Sequence, residues 1–406
     1  MALLVQKFGG SSVGSVDMIK RVAQRVVDSV RSGDSVVVVV SAMADTTDEM
    51  VTLAEKITSD APDREMALLL SSGERITTAL LAMAITNLGT PAVGYTGQQA
   101  GFKTTSGRHT NSRVAEIDST RIIGELDVGK VVVVCGFQGV DENQDETVLG
   151  RGGSDLSAVA LAWALKADSC EIFTDVEGVY TADPRVVPEA RKIGKISPDE
   201  MLELASAGAR VLYSRSVEFA KKHGVVIHCR STFSKETGTL IQEDAAMMEA
   251  VLVRGIAHDT DQAKITIRGV PDKPGVAARI FGRMGDASIN VDMIVQNTSA
   301  DGVTDMSFTV PRSELKKVMA YAEPLKAEIE AREVIEDADM AKVSVVGVGM
   351  KSHSGVASTM FSALADNGIN IEMISTSEIK ISCVIHRDLA EEAVRVLHRA
   401  FELDAD

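Results

Sequence analysis

The sequence predicts an α/β architecture in two parts. The first is a three-layer αβα sandwich on a mostly parallel sheet, and the second is a pair of small units built on one repeated pattern. Three observations predict it. Strand-like runs alternate with helical stretches over about the first 240 residues. Those runs are continuously apolar, which suits parallel strands covered on both faces. Further on, GVAARIFGRMGDASINVDMI (275–294) aligns without gaps to GVASTMFSALADNGINIEMI (355–374), with nine of twenty positions identical.

The expected strands of the first part are LLVQKF (3–8), SVVVVVS (35–41), PAVGY (91–95), VVVVCGF (131–137), CEIFTDV (170–176) and VVIHCR (225–230). Between them lie helical stretches at 16–30, 63–88, 154–167 and 197–224. Turn residues in DENQDETVLG (141–150) predict a surface hairpin. The polar, glycine-containing SKETGTLIQEDAAM (234–247) reads as a linker, so the first domain is expected at 1–245. Each repeat follows a strand, KITIRGV or KVSVVGV, and continues into a further strand and a helix. The units are expected at 262–338 and 340–406. The first has a candidate last strand, AREVIED (331–337). The second ends its final helix too near the last residue for one. The segment AVLVRGIA (250–257) is expected to cross over and complete its sheet.

Composition narrows the function. A net charge of -16 argues against nucleic acid or an anionic membrane as partner. It does not exclude a phosphate ligand, which feels local fields. MALLVQKFGG lacks a basic region followed by a long apolar stretch, so no secretory signal is expected. Nor is a membrane span, for want of an apolar run of roughly 18 residues. Cys135, Cys170, Cys229 and Cys383 lie apart in apolar runs, form no CxxC, and are expected as buried thiols in a reducing cytoplasm. The seven histidines form no HExxH, and no zinc site is assigned.

The chemistry concentrates at glycine pairs. LVQKFGGSSVGSV places Lys7 before Gly9 and Gly10. It is not a P-loop, because Ser15 stands where G-x-x-x-x-G-K-[ST] requires lysine. A strand end would instead deliver Lys7 to the carboxyl edge of a parallel sheet, where such proteins bind ligands. Glycine amides can approach an anion closely. A helix beginning near Ser12 to Ser15 would add its positive end. A tight turn with an incidental lysine is the plain structural alternative. GRGGSDLSA (150–158) repeats the pattern, with Arg151 before Gly152-Gly153 and Asp155 in the first helical turn. Asp155 could simply cap that helix. Two cradles in one domain are harder to dismiss than one. Phosphoryl transfer needs positioning and charge stabilisation more than covalent chemistry. Lys7 and Arg151 could supply the charge, with Asp155 orienting Lys7. Ser41 ends a strand at the same edge. Glu74, in SSGERI, could pair with an amino group of a substrate or be a solvated helix residue.

KFGGSS, VVSAM (39–43), SSGE (71–74), GFQG (136–139), GRGGSD (150–155) and TDVEGVYTADPR (174–185) together resemble the aspartokinases, in that family's order. The C-terminal units resemble its paired ACT domains, with PGV and INVDM in one, SGV and INIEM in the other. The resemblance covers essentially the whole chain. It implies the amino-acid-kinase fold, two ferredoxin-like βαββαβ ACT domains, and transfer of the ATP γ-phosphoryl group to the side-chain carboxylate of L-aspartate.

Position by position, the resemblance puts Lys7, Gly9 and Gly10 at the nucleotide phosphates, with Thr174, Asp175, Tyr180, Asp183 and Arg185 also holding the nucleotide. Arg210 takes a position where many members carry lysine, keeping the charge but not the shape. Ser41, Thr47, Glu74, Phe137, Arg151 and Ser154 would surround aspartate. Mg²⁺ would arrive with ATP. The ACT pair implies feedback by lysine, threonine or both. Candidate effector contacts are Asp272, Gly275, Val276, Asn290, Asp292 and Gln296 in the first unit, and Gly355, Val356, Asn370 and Glu378 in the second. A scaffold with empty junctions is the alternative. A homodimer through these units, or a heteromer with a separately made C-terminal fragment, is expected. Two rival functions are a kinase of the same fold acting on glutamate, acetylglutamate, carbamate or a nucleotide, and a non-catalytic amino-acid sensor.

Overall fold

The computed structural model describes residues 2–209, 211–243, 252–287, 289–298, 302–351 and 355–405. The chain forms two units, and the division is not a single point in the sequence. One unit holds Met1–Val179, Lys192–Ala205 and Arg210–Ala245; the other holds Tyr180–Arg191, Ser206–Ala209 and Ala246–Asp406. A boundary at 245 alone therefore misplaces two short segments.

In the first unit, valine-rich runs become the centre of an eight-stranded sheet. Its order runs Lys195–Ile196, Thr239–Ile241, Ile227–Ser231, Ser169–Thr174, Leu3–Phe8, Ser35–Val40, Val131–Cys135, Ala92–Tyr95. Every pairing is parallel except Ile227–Cys229 against Thr239–Ile241. That exception lies in the stretch expected as linker, so only part of 234–247 is irregular. Residues 244–247 lie outside the described residues.

Helices cover both faces. Val16–Arg31 turns Ile19, Val22, Ala23, Val26 and Val27 inward. Ser15 caps it by accepting the Met18 amide, and Asp17 and Arg31 suit its dipole. Gly153–Leu165 is buried along almost its whole surface, and its small Gly, Ser and Ala residues let neighbours approach closely. The helical stretch at 63–88 divides into Asp63–Leu70 and Ser72–Asn87. Ser71 and Ser72 hydroxyls donate to the Leu68 and Leu69 carbonyls, which favours a break there. By length and composition Asp63–Asn87 is apolar enough to cross a membrane, contrary to expectation. Here Leu81 and Ile85 are fully buried in the sheet's core. The 141–150 hairpin joins Gln138–Val140 to Glu146–Val148 within a separate four-stranded sheet. It is less peripheral than expected, since Gln138, Thr147 and Val148 are buried.

The second unit contains one six-stranded antiparallel sheet shared by both repeats. Its order is Ile294–Thr298, Val303–Val310, Gly255–Pro271, Glu333–Val346, Lys380–His386, Met373–Thr376. Two long strands form its middle. Lys264 to Arg268 pairs with Asp337 to Glu333, while Gly255 to Asp259 pairs with Val346 to Lys342. Register shifts at Gln262 separate the two zones. Thus Gly255–Asp259 lies beside the second repeat's first strand. Residues 250 and 251 of the proposed crossover lie outside the described residues. AREVIED and KVSVVGV, read separately in sequence, contribute to one continuous strand.

Candidate active site

Four adjacent strands of the parallel sheet end on the same side, and each carries a candidate residue just beyond its carboxyl end. Gly9 follows Leu3–Phe8, Ser41 follows Ser35–Val40, Gly136 and Phe137 follow Val131–Cys135, and Asp175 follows Ser169–Thr174. The chain passes to opposite sides of Leu3–Phe8, first to Ser35–Val40 and later to Ser169–Thr174. Such a switch point opens a ligand crevice at the carboxyl edge of an open sheet.

Lys7 and Asp155 join the two glycine corners. Lys7 Nζ lies 2.5 Å from Asp155 Oδ1, and the residues are 8% and 7% exposed. Asp155 belongs to the first turn of Gly153–Leu165, so this pair fixes the second corner against the first strand. A Cβ at Gly9 would stand 3.5 Å from Lys7 Nζ, while one at Gly10 would press the Ala42 carbonyl at 3.1 Å. The helix does not begin directly at this corner. A 3-10 turn, Gly10–Ser12, comes first, and Val16–Arg31 follows its cap. The helix thus begins beside the expected Ser12 to Ser15 stretch, with Ser15 as its cap and the 3-10 turn between it and Gly9.

At the second corner Gly152 adopts φ 69°, and a Cβ there would meet the Tyr213 ring at 2.3 Å. Glycine is required on both counts. Arg151 is exposed and makes no ion pair among the described residues. Ser154 Oγ lies 2.8 Å from Ser41 Oγ, linking this helix to the neighbouring strand end. Phe137 takes a left-handed φ of 70°. Its amide donates to Ser157 Oγ at 3.0 Å, and Ser157 Oγ donates to the Gly153 carbonyl at 3.0 Å. Ser157 and Tyr213 thus shape the site without having been legible as site residues. Ser157 stands four residues after Gly153, the one available hint.

Glu74 is 3% exposed, in the first turn of Ser72–Asn87. Its Oε1 accepts the Ala42 amide at 3.1 Å, whereas Oε2 is buried with no hydrogen-bond partner among the described residues. Burial pushes its carboxyl up to about 7, against the lowering effect of its own and Ala42's amides. It is not the solvated helix residue of the simpler reading. Thr47 is half-buried in the first turn of Thr46–Ile57, whose Thr46 hydroxyl donates to Met43 O at 2.5 Å. Thr174 Oγ1 donates to Asp175 Oδ1 at 2.9 Å. Tyr180, Asp183 and Arg185 belong to the other unit, where Asp183 pairs with Arg185 at 2.7 Å. Arg210 lies outside the described residues.

The four cysteines are free and buried. His109, Asp141 and Asp145 group closely enough to hold a cation. Arg64 already pairs with Asp145 at 2.8 Å, and Asp141 Oδ1 accepts the Asn143 and Asp145 amides of its own turn. No metal is assigned there.

In the repeat unit, Asp272, Gly275, Val276 and Gln296 line one cavity of about 320 Å³. Asn290 is exposed and does not line it, and Asp292 pairs instead with the buried Lys342. In the second repeat Gly355 and Val356 open the helix Val356–Asp366. Asn370 donates to Glu372 at 3.0 Å, and Glu378 is exposed between the last two strands.

The model of the Amino acid kinase family matches residues 2–231, and the ACT domain model matches 265–323 and 343–401. The chain is 54% identical over 406 residues to an aspartate kinase of Pseudomonas putida, covering 100% of this chain and 98% of the relative. It is 50% identical over 412 residues to an aspartokinase of Corynebacterium glutamicum, covering 100% and 97%. Escherichia coli aspartokinase III, solved with aspartate and ADP in its R-state, is similar with TM-score 0.82 and 25% identity over 98% of this chain and 99% of that one. The same enzyme solved with lysine and aspartate in its T-state gives TM-score 0.76 and 26% identity, with the same coverage. The chain belongs to the aspartate kinase family. Its activity is that of EC 2.7.2.4, transfer of the ATP γ-phosphoryl group to the side-chain carboxylate of L-aspartate.

Proposed function

We propose that the reaction runs at the carboxyl edge of the parallel sheet, with Lys7 as the central charge-stabilising group. The supporting observation is the buried Lys7–Asp155 pair, which spans both glycine corners. Asp155 holds the ammonium in place, and Lys7 meets the phosphoryl oxygens as charge builds on them. Gly9 and Gly10 let the nucleotide phosphates come close to the backbone. Arg151 takes a carboxylate of aspartate, and Glu74 takes its ammonium through the otherwise unpartnered Oε2. Ser41, Thr47, Phe137 and Ser154 complete the aspartate pocket. Thr174, Asp175, Tyr180, Asp183, Arg185 and Arg210 hold the nucleotide.

The nucleophile is the side-chain carboxylate of aspartate, which is already ionised, so no general base is needed. Mg²⁺ would arrive with ATP and would supply neutralisation of phosphate charge. Asp155 is engaged by Lys7 and serves to orient that ammonium. We assign the enzyme to the cytoplasm and expect a homodimer, or a heteromer with a separately made C-terminal fragment. The cavity at Asp272, Gly275, Val276 and Gln296 is the favoured effector site, with lysine or threonine as ligand. Calorimetry with each amino acid, alongside a rate assay, tests this: absence of both heat and rate change with either removes it.

Hydroxylamine trapping with Mg-ATP tests the transfer itself. An acyl phosphate formed from aspartate yields a hydroxamate, and the Lys7→Ala variant should yield far less. Equal product from glutamate, acetylglutamate or carbamate would favour the rival kinases, and no product from any acid would favour a sensor.

A further inference from the structure

The segment Tyr180–Arg191 comes from the kinase part of the sequence but packs within the repeat unit. Its attachment is specific. Thr181 Oγ1 lies 2.9 Å from His398 Nε2 and also accepts the Arg191 amide at 2.9 Å. The Thr181 carbonyl accepts the Ile256 amide at 2.7 Å, and its amide donates to Arg191 O at 2.9 Å. Arg191 Nε donates to Leu403 O at 2.9 Å. Ala182 and Val187 are buried with Val343, Val394 and Leu397.

His398 is 1% exposed, on a helix whose other buried positions are alanine, valine or leucine. An apolar residue would fill that place without burying polar nitrogens. The imidazole is matched instead by the Thr181 hydroxyl. Thr181 sits between Tyr180 and the Asp183–Arg185 pair, so it holds the stretch carrying all three.

We propose that His398, at the end of the second repeat, is a positioning residue for nucleotide binding. Acting through Thr181, it fixes the Tyr180–Arg185 stretch in its binding shape, so packing within the second repeat sets affinity for ATP. The inference rests on the reading of Tyr180, Asp183 and Arg185 as nucleotide contacts. Pre-shaping a segment raises affinity by removing an ordering cost, without touching the reacting atoms.

The test uses the full-length enzyme with Mg-ATP and aspartate, comparing His398→Leu, His398→Gln, Thr181→Val and Arg185→Ala. His398→Leu and Thr181→Val should each raise KM for ATP about fivefold to twentyfold, with KM for aspartate and kcat within about threefold. The double variant should be no worse than either single one, because both remove one contact. His398→Gln can place an amide near the Nε2 position and should restore KM for ATP to within about threefold. Unchanged KM for ATP in His398→Leu, or a glutamine variant no better than leucine, overturns the proposal. So does a fall in thermal midpoint with both KM values unchanged, which marks a purely structural histidine. If His398→Leu does not fold, Thr181→Val decides by the same criteria. Arg185→Ala separates the two layers. If it leaves KM for ATP unchanged, the nucleotide reading of this segment fails; if it raises that KM while His398→Leu does not, only the positioning role fails.

Discussion

Lys7 and Glu74 show how one sheet edge handles opposite charges. Lys7 is buried but answered by Asp155. Loss of one preorganised charge-stabilising group costs roughly 10²–10³ in turnover, and Lys7→Ala should fall by that factor. Near-normal kcat in that variant would remove its role. Glu74 is buried and half-answered, so its carboxyl titrates near 7 because burial outweighs the amide contacts. An ammonium ligand needs the ionised form. The kcat/KM for aspartate should therefore rise with pH through about 7 and then level, and Glu74→Gln should lose this limb together with much of its affinity for aspartate. A variant that changes only the ATP requirement would contradict the assignment. The same shift has a stability sign. A folded pKa above the unfolded value favours the folded state at low pH, and that advantage is lost as pH rises through about 7. At pH 8 Glu74→Gln should then unfold at higher urea than the parent, by at most about 3 kcal/mol, with the difference shrinking toward pH 4.

At the scale of elements, the glycine corners do the placing. Gly152 joins a left-handed backbone to close contact with Tyr213. Gly152→Ala should cost about 1–3 kcal/mol and lower activity, read by urea unfolding and rate assay. Adding Tyr213→Ala should recover only the part due to the ring, because the Cβ at position 213 would still lie 2.6 Å away. Both corners were visible in the sequence, because glycine pairs after apolar runs mark turns at strand ends. The short 3-10 turn after Gly10 was not visible. Nor was the break at Ser71, where hydroxyl contacts with the Leu68 and Leu69 carbonyls interrupt an apolar helical pattern. Local pattern reports which face is apolar, not where backbone carbonyls find other donors.

At the scale of the whole molecule, two long strands bind the repeats into one sheet. Ile256 pairs with Val345 and donates its amide to Thr181 O. Ile256→Pro removes that donor within a central strand, so hydrogen exchange across 333–346 and 380–386 should rise sharply. Unaltered protection there would show that the strand is dispensable.

The sequence by itself determined the parallel sheet, the repeat, the two glycine corners and the family, since each is written in local spacing or in motifs that stand in order. The matching glycine corners also offered Asp155 as the partner of Lys7, and the fold brings the two together. Tertiary structure alone decided that Glu74 is buried and that Tyr180–Arg191 packs with the repeats. Those outcomes depend on contacts between residues far apart in the chain, and no local pattern records how deeply a helix residue is covered or which distant core a loop will fill.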